Sequence, residues 1–132
     1  MQQKLIKNGF IVAALMNFSV LFFSKGFTNG AINQADPVVM SNFGLMMIVV
    51  WGLAYLAAST ASSQIKWLAG AFAVEKLIYG VVWVKWLLAN NLGELYAKDM
   101  FAGMFYSIYG VNDLLFMVFF AYVFFASGRK ST

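Results

Sequence analysis

The chain has no cysteine and no histidine among its 132 residues, a single proline, and only 11% charged side chains. Without cysteine there are no disulfides, no thiol chemistry and no cysteine-ligated metals or clusters. Without histidine the commonest general base and the commonest metal ligand are gone. No metal site and no cofactor is therefore expected. Soluble domains carry about 25% charged residues. At less than half that level a soluble fold would expose large apolar patches and aggregate.

What is present is apolar: 62% of the residues are hydrophobic. They fall into four long runs separated by short polar segments. A helix needs roughly 20 apolar residues to span a bilayer. Four spans with their connections occupy this length. The predicted fold is an all-α membrane protein, 1–132 as one domain, with four transmembrane helices at about 8–23, 37–58, 65–89 and 101–126. Short connections force neighbours antiparallel, which makes an up-and-down bundle.

Along the chain, Lys4 and Lys7 precede the first run as they would in a signal peptide. Phe22-Phe23-Ser24-Lys25 offers no small-x-small cleavage site, so the first span reads as a retained helix. Gly26, Asn29, Gly30 and Asn33 are turn formers. Asp36-Pro37 reads as N-cap and first helical residue of span 2. The polar turn Ser59–Gln64 would make spans 2 and 3 an antiparallel hairpin. Asn91-Leu92-Gly93-Glu94 has the form of a capping box opening the last helix, with Glu94 to Met100 as its first turns at the membrane surface.

The formal charge of +4 does not indicate nucleic acid, because the basic residues form no stripe. They flank the apolar runs, as membrane anchors do. Lys4, Lys7, Lys66, Arg129 and Lys130 lie on one side. Lys25 and Lys98 lie on the other, with Lys85 near a helix end. This excess predicts both termini in the cytoplasm, in a bacterial inner (cytoplasmic) membrane.

Three charges fall inside the spans. Glu75 and Lys76 lie about 13–15 Å from the inner end of span 3, and Asp113 about 20 Å from that of span 4, at ~1.5 Å per residue. Asn17 on span 1 has a similar depth. An ionised side chain at a helix centre costs about 2.5–3.5 kcal/mol, so span 3 carries a penalty of roughly 5–7 kcal/mol and needs partners on other helices. Glu75 and Lys76 project about 100° apart and pair poorly with each other. The expected pair is Lys76 with Asp113, which leaves Glu75 without a countercharge.

Two readings follow. In one, these groups fix helix register as a polar knot, with Glu75 protonated or bonded to Tyr79 or Asn17. In the other, they line a path for a small molecule, proton or ion, since intramembrane ionisable residues mark functional sites by default. Aromatic faces sit nearby. Tyr106, Tyr109, Gly110 and Asp113 share a face of span 4. Glu75, Tyr79 and Trp86 share a face of span 3, beside Lys76, Gly80 and Trp83. Gly44, Trp51, Gly52 and Tyr55 line up on span 2. These faces would enclose an amphipathic cavity for a lipid-like or aromatic molecule, or simply pack.

In length and helix count the chain is similar to the small multidrug-resistance transporters. Those transporters carry an essential acid in the first helix, where this chain has Asn17 but no acid, so no membership follows. The leading expectation is ligand binding or transport through Glu75, Lys76 and Asp113. Asn17, Tyr79, Trp83, Tyr106, Tyr109, Trp51 and Tyr55 complete the candidate site. A non-enzymatic accessory subunit of a larger membrane complex is the alternative, and a membrane enzyme acting on a lipid-like substrate the third. The expected partners are the lipid bilayer, a small hydrophobic or ionic ligand, and a second copy or a membrane-complex partner.

Overall fold

The computed structural model describes residues 2–61 and 65–130, with side chains from 3 to 127 in those stretches. Residues 62–64 of the expected Ser59–Gln64 turn lie outside the described residues, as do the side chains of Arg129 and Lys130, on which part of the orientation rests.

Helices account for all the regular structure among the described residues. They are α1 (Gln2–Phe18), α2 (Val20–Phe23), α3 (Gly30–Ala35), α4 (Asn42–Ala58), α5 (Ile65–Ala89), α6 (Leu92–Lys98) and α7 (Met100–Lys130). Three stretches are long and apolar enough to cross a membrane: Gln3–Phe23, Ile65–Ala89 and Met100–Ser127. The fourth apolar helix, Asn42–Ala58, has 17 residues, the short end of the range for a span.

The starts of α3, α4, α6 and α7 are each set by a short polar side chain accepting from a free backbone N–H. Asn29 accepts from Ala31 N (3.1 Å), Ser41 from Gly44 N (3.1 Å), Asn91 from Glu94 N (3.0 Å) and Asp99 from Ala102 N (2.8 Å). The Asn91 cap on Glu94 is the contact its spacing predicts, but it opens a separate seven-residue helix, α6. Asp99 has extended backbone (φ −160°, ψ 121°) and caps α7 anew, so residues 94–100 are not the first turns of the last helix.

The start of the second long helix also differs from the expectation. Asp36 and Pro37 do not open it. Asp36 ends α3, and its carboxylate and carbonyl accept from Val39 N (3.2 Å) and Met40 N (2.9 Å). That closes one isolated turn. The Val39 carbonyl then lies so close to Gly44 that a Cβ there would sit 1.9 Å away. The turn folds back on the helix instead of running into it, and Ser41 restarts the chain as α4. The segment after α2 reverses through Lys25, Gly26 and Phe27, all at positive φ (52°, 67° and 68°), and then forms α3, where turn residues alone suggested an irregular loop.

The long helices alternate in direction. Phe10, Tyr55, Phe72 and Phe120 meet at one level, while Val20, Leu45, Trp86 and Tyr106 share the other apolar cluster. Both α1 and α7 therefore have their chain-terminal ends at the same end of the bundle. Backbones come closest between α1 and α4 and between α5 and α7. Glycines allow this: a Cβ at Gly52 would meet Phe18 at 2.8 Å, one at Gly80 would meet Leu114 at 2.5 Å, and one at Gly110 would meet Trp83 at 1.7 Å. The pairs α1–α4 and α5–α7 then join through large side chains, among them Tyr55 on Phe72 (ring centroids 4.8 Å) and Phe10 on Phe120 (5.2 Å). So α4 and α5 face each other across aromatic rings and do not pack as a close hairpin.

Large apolar side chains also cover the outside. Phe43, Met46, Val50, Leu53 and Leu56 are exposed on α4, and Trp67, Val74, Ile78 and Leu88 on α5. On α7, Val111, Leu115, Val118 and Phe125 are exposed as well. Such a coat suits lipid.

At the end away from the termini, α3 and α6 form a cap. Asn29 Nδ2 donates to Asp99 (2.7 Å), Tyr106 OH to Ile32 O (2.8 Å) and Trp86 Nε1 to Ala35 O (2.9 Å). The Asn29 hydrogen bond, with the Ala102 N–H second, holds the Asp99 carboxyl below the usual aspartate range.

Candidate functional site

Between the two apolar clusters lies one polar layer, built from a residue or two of each long helix. Asn17 comes from α1, Tyr55 from α4, Glu75 and Lys76 from α5, and Asp113 from α7. The four polar or charged members are buried: Lys76 is 1% exposed, Asn17 4%, and Glu75 and Asp113 6% each.

Lys76 occupies the centre. Its Nζ donates to Asp113 Oδ1 (2.8 Å) and to Asn17 Oδ1 (3.0 Å), and lies 5.1 Å from the centroid of the Tyr55 ring. The ammonium thus has an anion, a neutral acceptor and a π face around it. Asn17 is held in turn by donating Nδ2 to Ile48 O (2.9 Å). The Lys76–Asp113 pair is the one the spacing predicts, and both helices bring it to one depth.

Glu75 is not left alone, and its partner is neither Tyr79 nor Asn17. The Tyr55 hydroxyl donates to Glu75 Oε1. Asn17 is occupied by Lys76 and Ile48, and no hydrogen bond joins Tyr79 to Glu75. Tyr55 instead crosses the wide α4–α5 gap, its ring against Lys76 and its hydroxyl on the neighbouring carboxyl.

A cavity of about 30 Å³ adjoins this layer, with Asn17, Glu75, Lys76, Tyr79, Tyr109 and Asp113 in its wall. That is room for about two waters. Trp51, Tyr55, Trp83 and Tyr106, named from sequence as part of one aromatic pocket, do not line it. The polar tips of Tyr55, Trp83 and Tyr106 are spent locally. Trp83 Nε1 donates to Tyr106 O (2.6 Å), Tyr106 OH to Ile32 O and Tyr55 OH to Glu75, while the Trp51 ring packs edge-on to Phe72 (6.1 Å). The enclosed space would not take a whole lipid-like or aromatic molecule of the kind those faces suggested.

Sequence reasoning passed over Met16, Ser19, Ile48, Phe105, Ile108 and Asn112, which also line it. Only Asn112 had a visible signal: a second polar residue beside Asp113 in an apolar helix. Its Nδ2 donates to Asp113 Oδ1 (3.2 Å). Tyr109 is distinctive in another way. Among the described residues its hydroxyl is the buried side-chain group without a hydrogen-bond partner, although buried hydroxyls are nearly always paired.

Chemically, the layer holds two carboxyls and one ammonium. It is neutral only when one carboxyl carries a proton or a cation joins it, and a net charge in such surroundings is costly. No family model matches the chain, and neither curated proteins nor solved structures include one found similar to it.

Proposed function

We propose that this is a four-span membrane protein that binds or translocates a small molecule, proton or ion through the layer of Glu75, Lys76 and Asp113. The observation that carries this reading is the second carboxyl. Lys76 and Asp113 satisfy each other, so a purely structural knot needs no further acid, yet Glu75 is buried beside them at a water-sized cavity. Glu75 is the exchanging or ligand-contacting group. The Lys76–Asp113 pair supports it.

The four-span reading draws on α4, whose exposed Phe43, Met46, Val50, Leu53 and Leu56 give it the same apolar coat as the three longer stretches. Both termini then face the cytoplasm, the side on which Lys4, Lys7, Lys66, Arg129 and Lys130 accumulate.

The test is flux in liposomes reconstituted with purified protein, read with a trapped pH dye and with ion gradients of either sign. Glu75→Gln, which keeps size and hydrogen-bonding capacity, is expected to abolish flux while leaving thermal unfolding near that of the wild type. Undiminished flux in Glu75→Gln protein would sink the assignment.

A second reading, a non-enzymatic accessory subunit, is favoured by Asn112. This half-exposed amide lies at mid-span on the edge of the apolar α7 face that carries Ile108, Val111 and Leu115. A partner helix there would use its free amide oxygen. Copurification of a fixed protein partner, lost in Asn112→Leu, would put that reading first.

A further inference from the structure

The donors of the polar layer fall on one oxygen of each carboxyl. Lys76 Nζ and Asn112 Nδ2 both donate to Asp113 Oδ1 (2.8 and 3.2 Å), and the Tyr55 hydroxyl donates to Glu75 Oε1. Among the described residues no hydrogen bond reaches Asp113 Oδ2 or Glu75 Oε2. Neither of these oxygens is sealed in, since the sealed side-chain atom without a partner is the Tyr109 hydroxyl. Both residues line the cavity and are otherwise buried, each 6% exposed. The cavity is where the two free oxygens find their open surface.

With both carboxyls ionised, the layer is short of one positive charge. Rings shut it along the bundle axis. Toward the termini, Phe10, Tyr55, Phe72 and Phe120 are buried ring against ring, with centroids 4.8–6.0 Å apart. Toward the cap, Trp86 stacks on Tyr106 (4.5 Å). The missing charge is therefore weakly screened and costly. A divalent ion would overshoot to a net positive layer, and it asks for about six or more oxygens. Among the described residues no three His, Cys, Asp or Glu side chains gather to hold one. A monovalent ion restores neutrality. Its donors would be hard oxygens, the two free carboxylate atoms, with Asn112 and Ser19 bringing neutral oxygens to the same wall. The volume of about 30 Å³ takes a bare alkali ion and one water, but no alkylammonium.

We infer that the cavity is a binding site for one alkali cation, held between Glu75 Oε2 and Asp113 Oδ2. This rests on reading the polar layer as the functional site, and names the class of ion it takes. A proton on one carboxyl balances the charge as well, so the test must separate an alkali ion from a proton.

The experiment is equilibrium dialysis of the full-length protein, in nanodiscs of uncharged lipid, against radioactive Na⁺ with choline chloride holding the ionic strength constant. Binding is expected to saturate at one Na⁺ per chain, and to be competed by Li⁺ or K⁺ but not by choline. Glu75→Gln, which leaves the layer neutral without a cation, should lose the saturable component while still unfolding near the wild-type temperature. Glu75→Asp returns the charge on a shorter arm and should recover saturable binding at lower affinity. Thermal unfolding gives a second readout. The wild-type midpoint should rise as NaCl replaces choline chloride, as for any ligand of the native state, and the Glu75→Gln midpoint should not. No saturable Na⁺ binding to the wild type, or binding undiminished in Glu75→Gln, would overturn the inference. Absent Na⁺ binding combined with proton flux that Glu75→Gln abolishes would remove the alkali ion and keep the polar layer as a proton path. Saturable Na⁺ binding without flux would keep the ion and remove translocation.

Discussion

Lys76 is a fully buried ammonium in a helix long and apolar enough to cross a membrane, and its neighbours explain how it is tolerated. Removing it strands Asp113. Lys76→Ala is expected to destabilise the protein by about 3–5 kcal/mol, the usual cost of breaking a buried pair from one side. The double replacement Lys76→Met with Asp113→Leu should recover most of that loss, because two apolar side chains leave no orphan charge. Both are read by reversible unfolding in mixed micelles. A double variant no better than Lys76→Ala would mean the layer is held by Asn17 and Tyr55 rather than by the ion pair. The pairing itself was legible in the sequence, since only one other mid-span charge was on offer. The Tyr55–Glu75 contact was not. It depends on the width of the α4–α5 gap, which no spacing along one helix encodes. The aromatic faces misled for a similar reason: Trp83, Trp86 and Tyr106 bond to backbone carbonyls at Tyr106, Ala35 and Ile32, and such acceptors carry no residue-type signature.

At the scale of elements, glycine positions separate packing that is tight from packing that is loose. Gly44 faces a backbone carbonyl and Gly110 an indole ring fixed by its own hydrogen bond, so neither neighbour can yield. Alanine at either position is expected to cost about 1–3 kcal/mol through overpacking. Gly30, with nothing within 4 Å of its missing Cβ, should accept alanine with a gain of up to about 1 kcal/mol in α3. Unfolding midpoints of the three variants check this ordering, and a Gly44→Ala protein as stable as Gly30→Ala would contradict the fold of residues 36–44. Helix α5 ends at Ala89, as expected, because its apolar run ends cleanly at Asn90-Asn91. Where caps compete, as Asp36 did with Ser41 and Asn91 with Asp99, the sequence offers two legitimate starts and tertiary packing chooses.

The cap formed by α3 and α6 also carries a pH dependence. Asp99 is held below its ordinary value in the folded protein. Its contribution is therefore complete above the unfolded aspartate range, near about 3.9, and is lost as pH falls through the lower folded value. Melting temperatures between pH 6 and pH 3 should show an acid-side decline that Asp99→Asn flattens. An unchanged decline in that variant would place the acid sensitivity elsewhere.

For the whole molecule, the absence of cysteine makes topology directly measurable. Single cysteines at Ala61 and Glu94, both exposed and at opposite ends of the bundle, should react differently with a membrane-impermeant maleimide. In sealed right-side-out vesicles, Glu94→Cys is expected to label at once and Ala61→Cys only after permeabilisation. Labelling of both without permeabilisation would overturn the four-span arrangement. The architecture as a bundle of apolar helices was readable from composition and run length, since 62% hydrophobic residues in separated blocks admit few other forms. Which helices sit closest was not, because glycine and ring sizes decide that only after the helices meet.

The stapling of one end has a mechanical consequence. Between α1–α2 and α7, the capped end has the Asn29–Asp99 bond, the Phe22–Phe101 stack (5.2 Å) and Lys25 over the Phe101 ring (5.0 Å). Toward the termini the two meet through apolar contacts, Phe10 on Phe119 and Phe120 and Gly9 against the Phe119 ring. A bundle fastened in this way behaves like a clothes peg. Spreading its unfastened legs about the stapled end breaks no direct hydrogen bond between the described residues of α1 and α7, and beside Met16 and Asn112 it loads the Asn17–Lys76–Asp113 link before it disturbs the cap.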